Sequence, residues 1–400
     1  MRRITMLVAG VLLAWSLSNA ALANEAATRV AAIAGASSVA GPDGGLLEIV
    51  IPDGSGVTAD DIALFADAKG LTKFQLLNCR TFDDAMLARL ASLDGLTSLA
   101  VTNSGITDAG VATIAASFPN LVELDLSSNT NLTGGAMKSI ASLPRLKRLS
   151  LVQTRFNDLH TRRLSKLVDL ESLDLRGNME AGDMTLGVVG ALPKLRSLKH
   201  RSSTITDDGM AALAASQSLE ALLAQDFAIT NAAGRHLGTM TGLTSLEIFR
   251  CQGFGSEGVL ALAPLKKLNR LTLRDLPDAG DDGLAVLRDL PSLKRLYLHE
   301  LASVGDAGLA SLAGVPQLEV LDLWSMPKVT DAAAASIASL ASLKELSIRE
   351  TGMTDKALDA IVALPKLESL VFKNGTVSAE TAARVKAAKA WKKLDLGQPR

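Results

Sequence analysis

The sequence predicts an α/β chain wound into a right-handed solenoid, with a parallel sheet on its concave face and helices on its convex face. Three observations carry that reading. A hexapeptide of type L-x-x-L-x-L returns every 24 or 25 residues along most of the 400-residue chain. Each copy is followed by a helix-capping residue and a short segment of helical periodicity. Aromatic residues make up only 3% of the chain while Leu, Ala and Gly abound, as expected when many similar layers share one aliphatic core.

The first residues read as a secretory signal. Arg2 and Arg3 supply the charged start, Ile4 to Leu17 the apolar run, and Ala21-Leu22-Ala23 a small-x-small cleavage site, so residues 1–23 form the expected signal peptide, with cleavage after Ala23. The apolar run is short of the ~18 residues expected of a spanning helix, and no later segment is apolar enough to span. The expected product is an exported chain, periplasmic or extracellular, with no membrane span. Residues 24–45 are the expected N-terminal cap.

Residues 46–390 hold the repeats. Copies start at Leu46, Leu71, Leu96, Leu121, Leu146, Leu170, Leu195, Leu219, Leu243, Leu268, Leu293, Leu318, Leu343 and Leu367, fourteen in all, with residues 391–400 as a C-terminal cap and partial copy. In each, alternation such as "LDL" or "LTL" makes a short strand with its leucines facing inward. The second half, as in "DAGLASLAGV", places Leu309, Leu312 and Val315 on one helical face. Between them lies a slot filled by Thr58, Asp83, Thr107, Thr133, Asn157, Gly182, Thr206, Thr230, Gly255, Gly280, Gly305, Thr330, Thr354 and Ser378, all residues that favour a helix N-cap. Asp often follows, as at Asp84, Asp108, Asp183, Asp306 and Asp331, where a carboxylate complements the positive end of the helix dipole. Prolines such as Pro119, Pro144 and Pro316 then end the helix.

These repeats resemble the leucine-rich repeat family over about residues 46–396, and the resemblance implies a horseshoe-shaped solenoid whose general role is protein binding. The "ITDAG" spelling is similar to the ribonuclease-inhibitor-like or cysteine-containing type. The ninth position, often Cys or Asn in that type, is mixed here: Cys79, Ser104, Asn129, Thr154, Asn178, Ser203, Phe227 and Cys251. Both cysteines fall in this inward slot, seven repeats apart, and are expected as buried free thiols.

A net charge of −1 gives no global pull toward nucleic acid or an anionic membrane. "GFGSEG", Gly253 to Gly258, matches a dinucleotide-binding spelling, but Gly255 sits in the cap slot and Gly258 in a recurrent glycine slot, so the repeat already explains both. The four histidines, His160, His200, His236 and His299, lie in different repeats. His200 occupies an inward leucine slot, expected as a satisfied core histidine or a local strand distortion. No cofactor, metal site or enzymatic activity is expected.

The slot just after the third apolar residue of each strand points into the concave groove. It is small in early copies and large, aromatic or cationic later: Phe249, Arg274, His299, Trp324, Arg349, Lys373. Neighbouring outward slots add Arg250, Tyr297 and Glu300, and Trp, Tyr and Arg dominate binding hot spots. The expected partner-binding residues are therefore Phe249, Arg250, Arg274, Tyr297, His299, Glu300, Trp324 and Arg349, and the expected partner is a protein or peptide. Three alternatives stand beside this reading: a glycan or cell-envelope ligand stacked on the aromatic patch, an enzyme hidden in the groove with His299 or Glu300 at its centre, and a face whose broad side chains only satisfy one another.

Overall fold

A computed structural model describes residues 22–42, 45–375 and 377–397. The expected signal peptide therefore lies almost wholly outside the described residues. The fold is an α/β solenoid of short parallel strands and short helices, and the chain divides into two compact units, Met1–Glu180 and Ala181–Arg400.

In the first unit a helix over residues 22–31 buries Ala23, Ala26 and Val30. Strand β1 (Ser37–Ala40) then pairs antiparallel with β2 (Leu46–Ile51). From β2 onward the strands run parallel in chain order: β3 (Lys73–Leu76), β4 (Ser98–Val101), β5 (Glu123–Asp125), β6 (Arg148–Ser150) and β7 (Ser172–Asp174). Their register stacks Ile49, Phe74, Leu99, Leu124, Leu149 and Leu173 in one buried column. Alternation at period two makes this column, because every second side chain turns to the same face. Below the strands the ninth-position asparagines work as backbone clamps. Buried Asn129 donates Nδ2–H to the carbonyls of Val101 and Leu126 and accepts from Ser104 at Oδ1, and Asn178 repeats the pattern at Leu151, Leu175 and Phe156.

The second unit carries β8 (Ser197–Arg201), β9 (Ala221–Gln225), β10 (Ser245–Phe249), β11 (Arg270–Arg274), β12 (Arg295–His299), β13 (Val320–Met326), β14 (Glu345–Thr351), β15 (Ser369–Lys373) and β16 (Lys393–Asp395). All are parallel and adjacent in chain order. His200 is the satisfied core histidine of the two readings: fully buried, its Nε2 lies 2.8 Å from the Ala181 carbonyl and its ring packs edge-on against Phe227. Its neighbour across the sheet, Ala224, is small, which leaves room for the ring.

The segments opposite the sheet differ in one respect from the expectation. Leu309, Leu312 and Val315 are all buried, but the α-helix Asp306–Leu309 gives way to a 3₁₀ stretch, Ala310–Gly314. Apolar residues spaced by three suit three residues per turn better than 3.6. The cap slots behave as read: Thr58, Asp83, Thr107, Thr133, Asn157, Thr206, Thr330, Thr354 and Ser378 each accept a backbone N–H at a helix start. The aspartate after the cap does more than meet a dipole, because its carboxylate reaches the cap of the next repeat, as in Asp84 to Thr107, Asp183 to Thr206 and Asp306 to Thr330. Among the described residues, no helix is long and apolar enough to cross a membrane.

Candidate functional site

On β10 to β14 the residues between buried leucines form two outward rows. One runs Phe249, Arg274, His299, Trp324, Arg349 and on to Lys373; the other runs Glu247, Thr272, Tyr297, Asp322 and Ser347. Strand pairing sets neighbours in a row ~4.8 Å apart and the two rows ~6.6 Å apart. Six of the eight residues chosen from sequence thus share one face, all half-buried.

Arg250 and Glu300 lie one residue beyond the first row. Each is the first residue past its strand, with left-handed φ of 54° and 56°, and its N–H bonds the carbonyl of Arg274 or Trp324 on the next strand. The same conformation recurs at Asp226, Asp275, Ser325 and Glu350. It costs an L-residue roughly 1–2 kcal/mol, offset by the interstrand bond, and it leaves these side chains half-buried beside the first row, Arg250 against Phe249 and Glu300 on Arg274.

The face is organised by arginines laid against rings. The Arg274 guanidinium carbon sits 4.3 Å from the centre of Phe249 and 5.1 Å from that of Trp324. Arg349 adds a contact to Trp324 at 5.6 Å, Arg250 one to Phe249 at 4.9 Å, and Arg270 one to Tyr297 at 4.5 Å. Such contacts are worth ~0.5–1 kcal/mol each when exposed. Carboxylates fix the other ends: Glu300 accepts from Arg274 at 2.9 Å, Asp322 receives both oxygens' bonds from Arg349 Nη2 at 3.0 and 3.1 Å, and Asp226 takes Arg201 and Arg250.

His299 is a wedge rather than a contact surface. Its ring packs edge-on between Trp324 (5.7 Å) and Tyr297 (6.1 Å), and its side chain is only 14% exposed. Its buried Nε2 lies 3.5 Å from Asp322 Oδ2, out of line for a well-formed hydrogen bond. Burial pushes the Asp322 carboxyl up, but the neighbouring His299 and Arg349 outweigh it and hold it below the ordinary range. Asp226 behaves alike, with Arg250 and Arg201 overcoming burial.

Beside these rows, on β13 to β16, the face opens into a cavity of about 500 Å³. Its floor is made of small side chains, Ser347, Ser369, Val320 and Val371; Tyr297, Glu345, Arg349, Lys373, Lys393 and Asp395 stand around it. Bulk at outward slots marks Tyr297 and Arg349 but not the hollow, whose signal is a cluster of small residues at outward slots.

In the dinucleotide-like spelling two of the glycine amides are already engaged: Asn231 Oδ1 accepts from both Gly255 N–H (2.8 Å) and Gly258 N–H (3.0 Å). Cys79 and Cys251 are free and buried, and burial raises the Cys251 thiol to about 12.

Comparison with known proteins agrees with this architecture. No curated protein matches the chain. Among solved structures it is similar to an internalin from Listeria monocytogenes, at 17% identity and TM-score 0.57 over 85% of this chain and 90% of that one. It is also similar to a chain of the yeast Rad7 and Elc1 complex, at 16% identity and TM-score 0.55 over 93% and 92%. At these identities the likeness concerns the fold alone. The family pattern described as a leucine-rich repeat region matches residues 95–396, and with fourteen in-register copies the chain belongs to the leucine-rich repeat family.

Proposed function

We propose that this chain is an exported recognition protein that binds a protein or peptide through the outward rows of β10 to β14, without catalysing a reaction. One observation carries the reading: Phe249, Tyr297 and Trp324 each bear at least one guanidinium, and Arg274 and Arg349 are in turn anchored by Glu300 and Asp322. Side chains held from two sides lose little further freedom on binding, so a partner meets a preorganised surface of planar donors and rings. The same arrangement speaks against a glycan, because a sugar stacked on these rings would compete with guanidiniums already there.

Export rests on Arg2, Arg3, the apolar run to Leu17 and the small-x-small site at Ala21 to Ala23. N-terminal sequencing of the secreted chain should begin at Asn24. For binding, affinity purification with mass spectrometry identifies a partner, and the purified partner is then titrated against wild type and the Trp324→Ala, Tyr297→Ala double variant. The expected result is lost binding with thermal unfolding nearly unchanged. Equal binding by the double variant would move the site off this face.

A further inference from the structure

Glu345 and Lys393 are the two charges of the cavity with no ion pair or side-chain hydrogen bond among the described residues. The other charges around it are engaged: Asp322 by Arg349 and His299, and Asp395 by Lys373 at 2.8 Å. Lys393 adds only a longer-range attraction to Asp395. The two unengaged residues are not scattered. The register Glu345, Ser369, Lys393 puts them in one outward row, one strand apart on either side of a serine, which sets their Cα atoms ~9.6 Å apart. Between and above them lies the small-residue floor of Ser347, Ser369 and Val371.

We infer that this cavity is a dipolar subsite for an extended peptide segment bearing one basic and one acidic side chain, the base received by Glu345 and the acid by Lys393. The inference rests on the reading that the neighbouring rows bind a protein or peptide, and it names what the cavity contributes. Three features of the hollow support a peptide. Its charges are of opposite sign and set apart, so a ligand of one sign satisfies one and opposes the other. Side chains two residues apart on an extended segment lie ~6.6 Å from one another on one face, within reach of long side chains leaning in from ~9.6 Å. At about 500 Å³ the cavity has room for a short piece of such a segment, and the serines and valines that line it suit a peptide backbone with small side chains. The engaged charges around it, Arg349 with Asp322 and Lys373 with Asp395, leave those two residues as the readers.

The experiment uses the full chain and capped pentapeptides, titrated by fluorescence polarisation at low salt. The probes are acetyl-Gly-Lys-Ala-Glu-Gly-amide carrying a dye and its Lys/Lys, Glu/Glu and Gln/Gln counterparts. Wild type should bind the mixed peptide about three- to tenfold better than any counterpart, as two partly exposed ion pairs allow. Glu345→Lys should transfer the preference to the Glu/Glu peptide, and Lys393→Glu to the Lys/Lys peptide. This gain of binding cannot come from a misfolded variant. A mixed peptide that binds no better than the neutral one, or preferences that do not move with the substitutions, overturns the subsite. So does equal competition by free amino acids, which would make the occupant a small zwitterion. The partner-binding reading fails separately, through the Trp324 and Tyr297 double variant: peptides that fail while capture still depends on that pair remove the subsite alone.

Discussion

The carboxylate of Asp108 accepts hydrogen bonds from both the backbone N–H (2.8 Å) and the hydroxyl of Thr133, the helix cap one repeat later. Thr133 meanwhile caps its own helix by accepting from Gly135 N–H. The same clasp joins Asp84 to Thr107, Asp207 to Thr230 and Asp331 to Thr354. Each Thr-Asp pair therefore closes one repeat backward and reaches forward to the next. The recurrent glycine has its place in the same device: a Cβ on Gly110 would fall on Asp84 Oδ1, and one on Gly209 on Asp183 Oδ1.

That relationship makes a double-mutant cycle decisive. Gly110→Ala alone should cost about 1–3 kcal/mol, because the new methyl displaces the Asp84 carboxylate from Thr107. Asp84→Ala alone should cost ~1–2 kcal/mol by losing two charge-assisted bonds at an exposed site. With Asp84 already removed, Gly110→Ala loses most of its penalty and gains the better helix propensity of alanine, ~0.8–1 kcal/mol. Urea unfolding of the four chains should show a coupling of at least about 1 kcal/mol. Additive costs would mean that the glycine serves something other than clearance for the clasp.

The same device shows where sequence reading reached and where it stopped. Repeat spacing of 24 or 25 residues carries the register, and register alone placed Phe249, Arg274, His299, Trp324 and Arg349 in one row. The column of buried leucines follows from period two in the same way. The clasp was not legible, because Asp108 finds its partner 25 residues away, across a turn of the solenoid, while its local position already had a sufficient explanation in the helix dipole. Arg250 and Glu300 follow the outward Phe249 and His299, so strict alternation would turn them inward; the left-handed turn instead leaves them half-buried, Arg250 against Phe249 and Glu300 on Arg274. The cavity escaped because hollows are written in small residues, and Ser347 or Val371 carries no signal until its neighbours are known.

At the N-terminal end, Arg29 grips Asp61 through Nε and Nη2, and Asp61 also accepts from Thr58 at the start of the helix Ala59–Ala66. The Arg29 hydrogen bond, with help from Thr58 and against burial, lowers the Asp61 carboxyl to about 2. A depressed carboxylate contributes stability that is present above its unfolded value of ~3.9 and is lost as pH falls toward about 2. Since Arg29 is 35% exposed, the contribution is discounted to about 1–2 kcal/mol. Urea midpoints for wild type and Arg29→Met should differ at pH 6 and converge as pH approaches about 2. A gap that persists unchanged through that window would show that the pair contributes packing rather than charge.

Asn231 offers a test of the dinucleotide-like loop. Its Oδ1 is the acceptor for the amides of the buried Gly255 and Gly258, so Asn231→Ala leaves two donors unsatisfied at about 1–3 kcal/mol. Asn231→Asp keeps the acceptor and should cost much less. Hydrogen exchange at the two glycine amides supplies the direct readout: fast in the alanine variant, protected in wild type and in the aspartate variant. Protection that survives Asn231→Ala would point to a different acceptor for these amides.

Arg274 tests whether the recognition face is preorganised or merely crowded. Its guanidinium lies against Phe249 and Trp324 while Glu300 accepts from its Nε, so plane and charge are used together. Lysine preserves the charge and loses the plane, and ammonium is the more strongly hydrated group. Arg274→Lys should therefore lower stability by no more than ~1 kcal/mol, the scale of an exposed cation–π contact. It should nonetheless shift the fluorescence of Trp324, measured in a chain that starts at Asn24 and carries Trp391→Phe, and weaken the partner by about tenfold or more as the freed rings and Glu300 become mobile. A face that binds equally well with lysine at this position would owe its affinity to charge alone, and the rings would be filling a sheet surface rather than shaping a site.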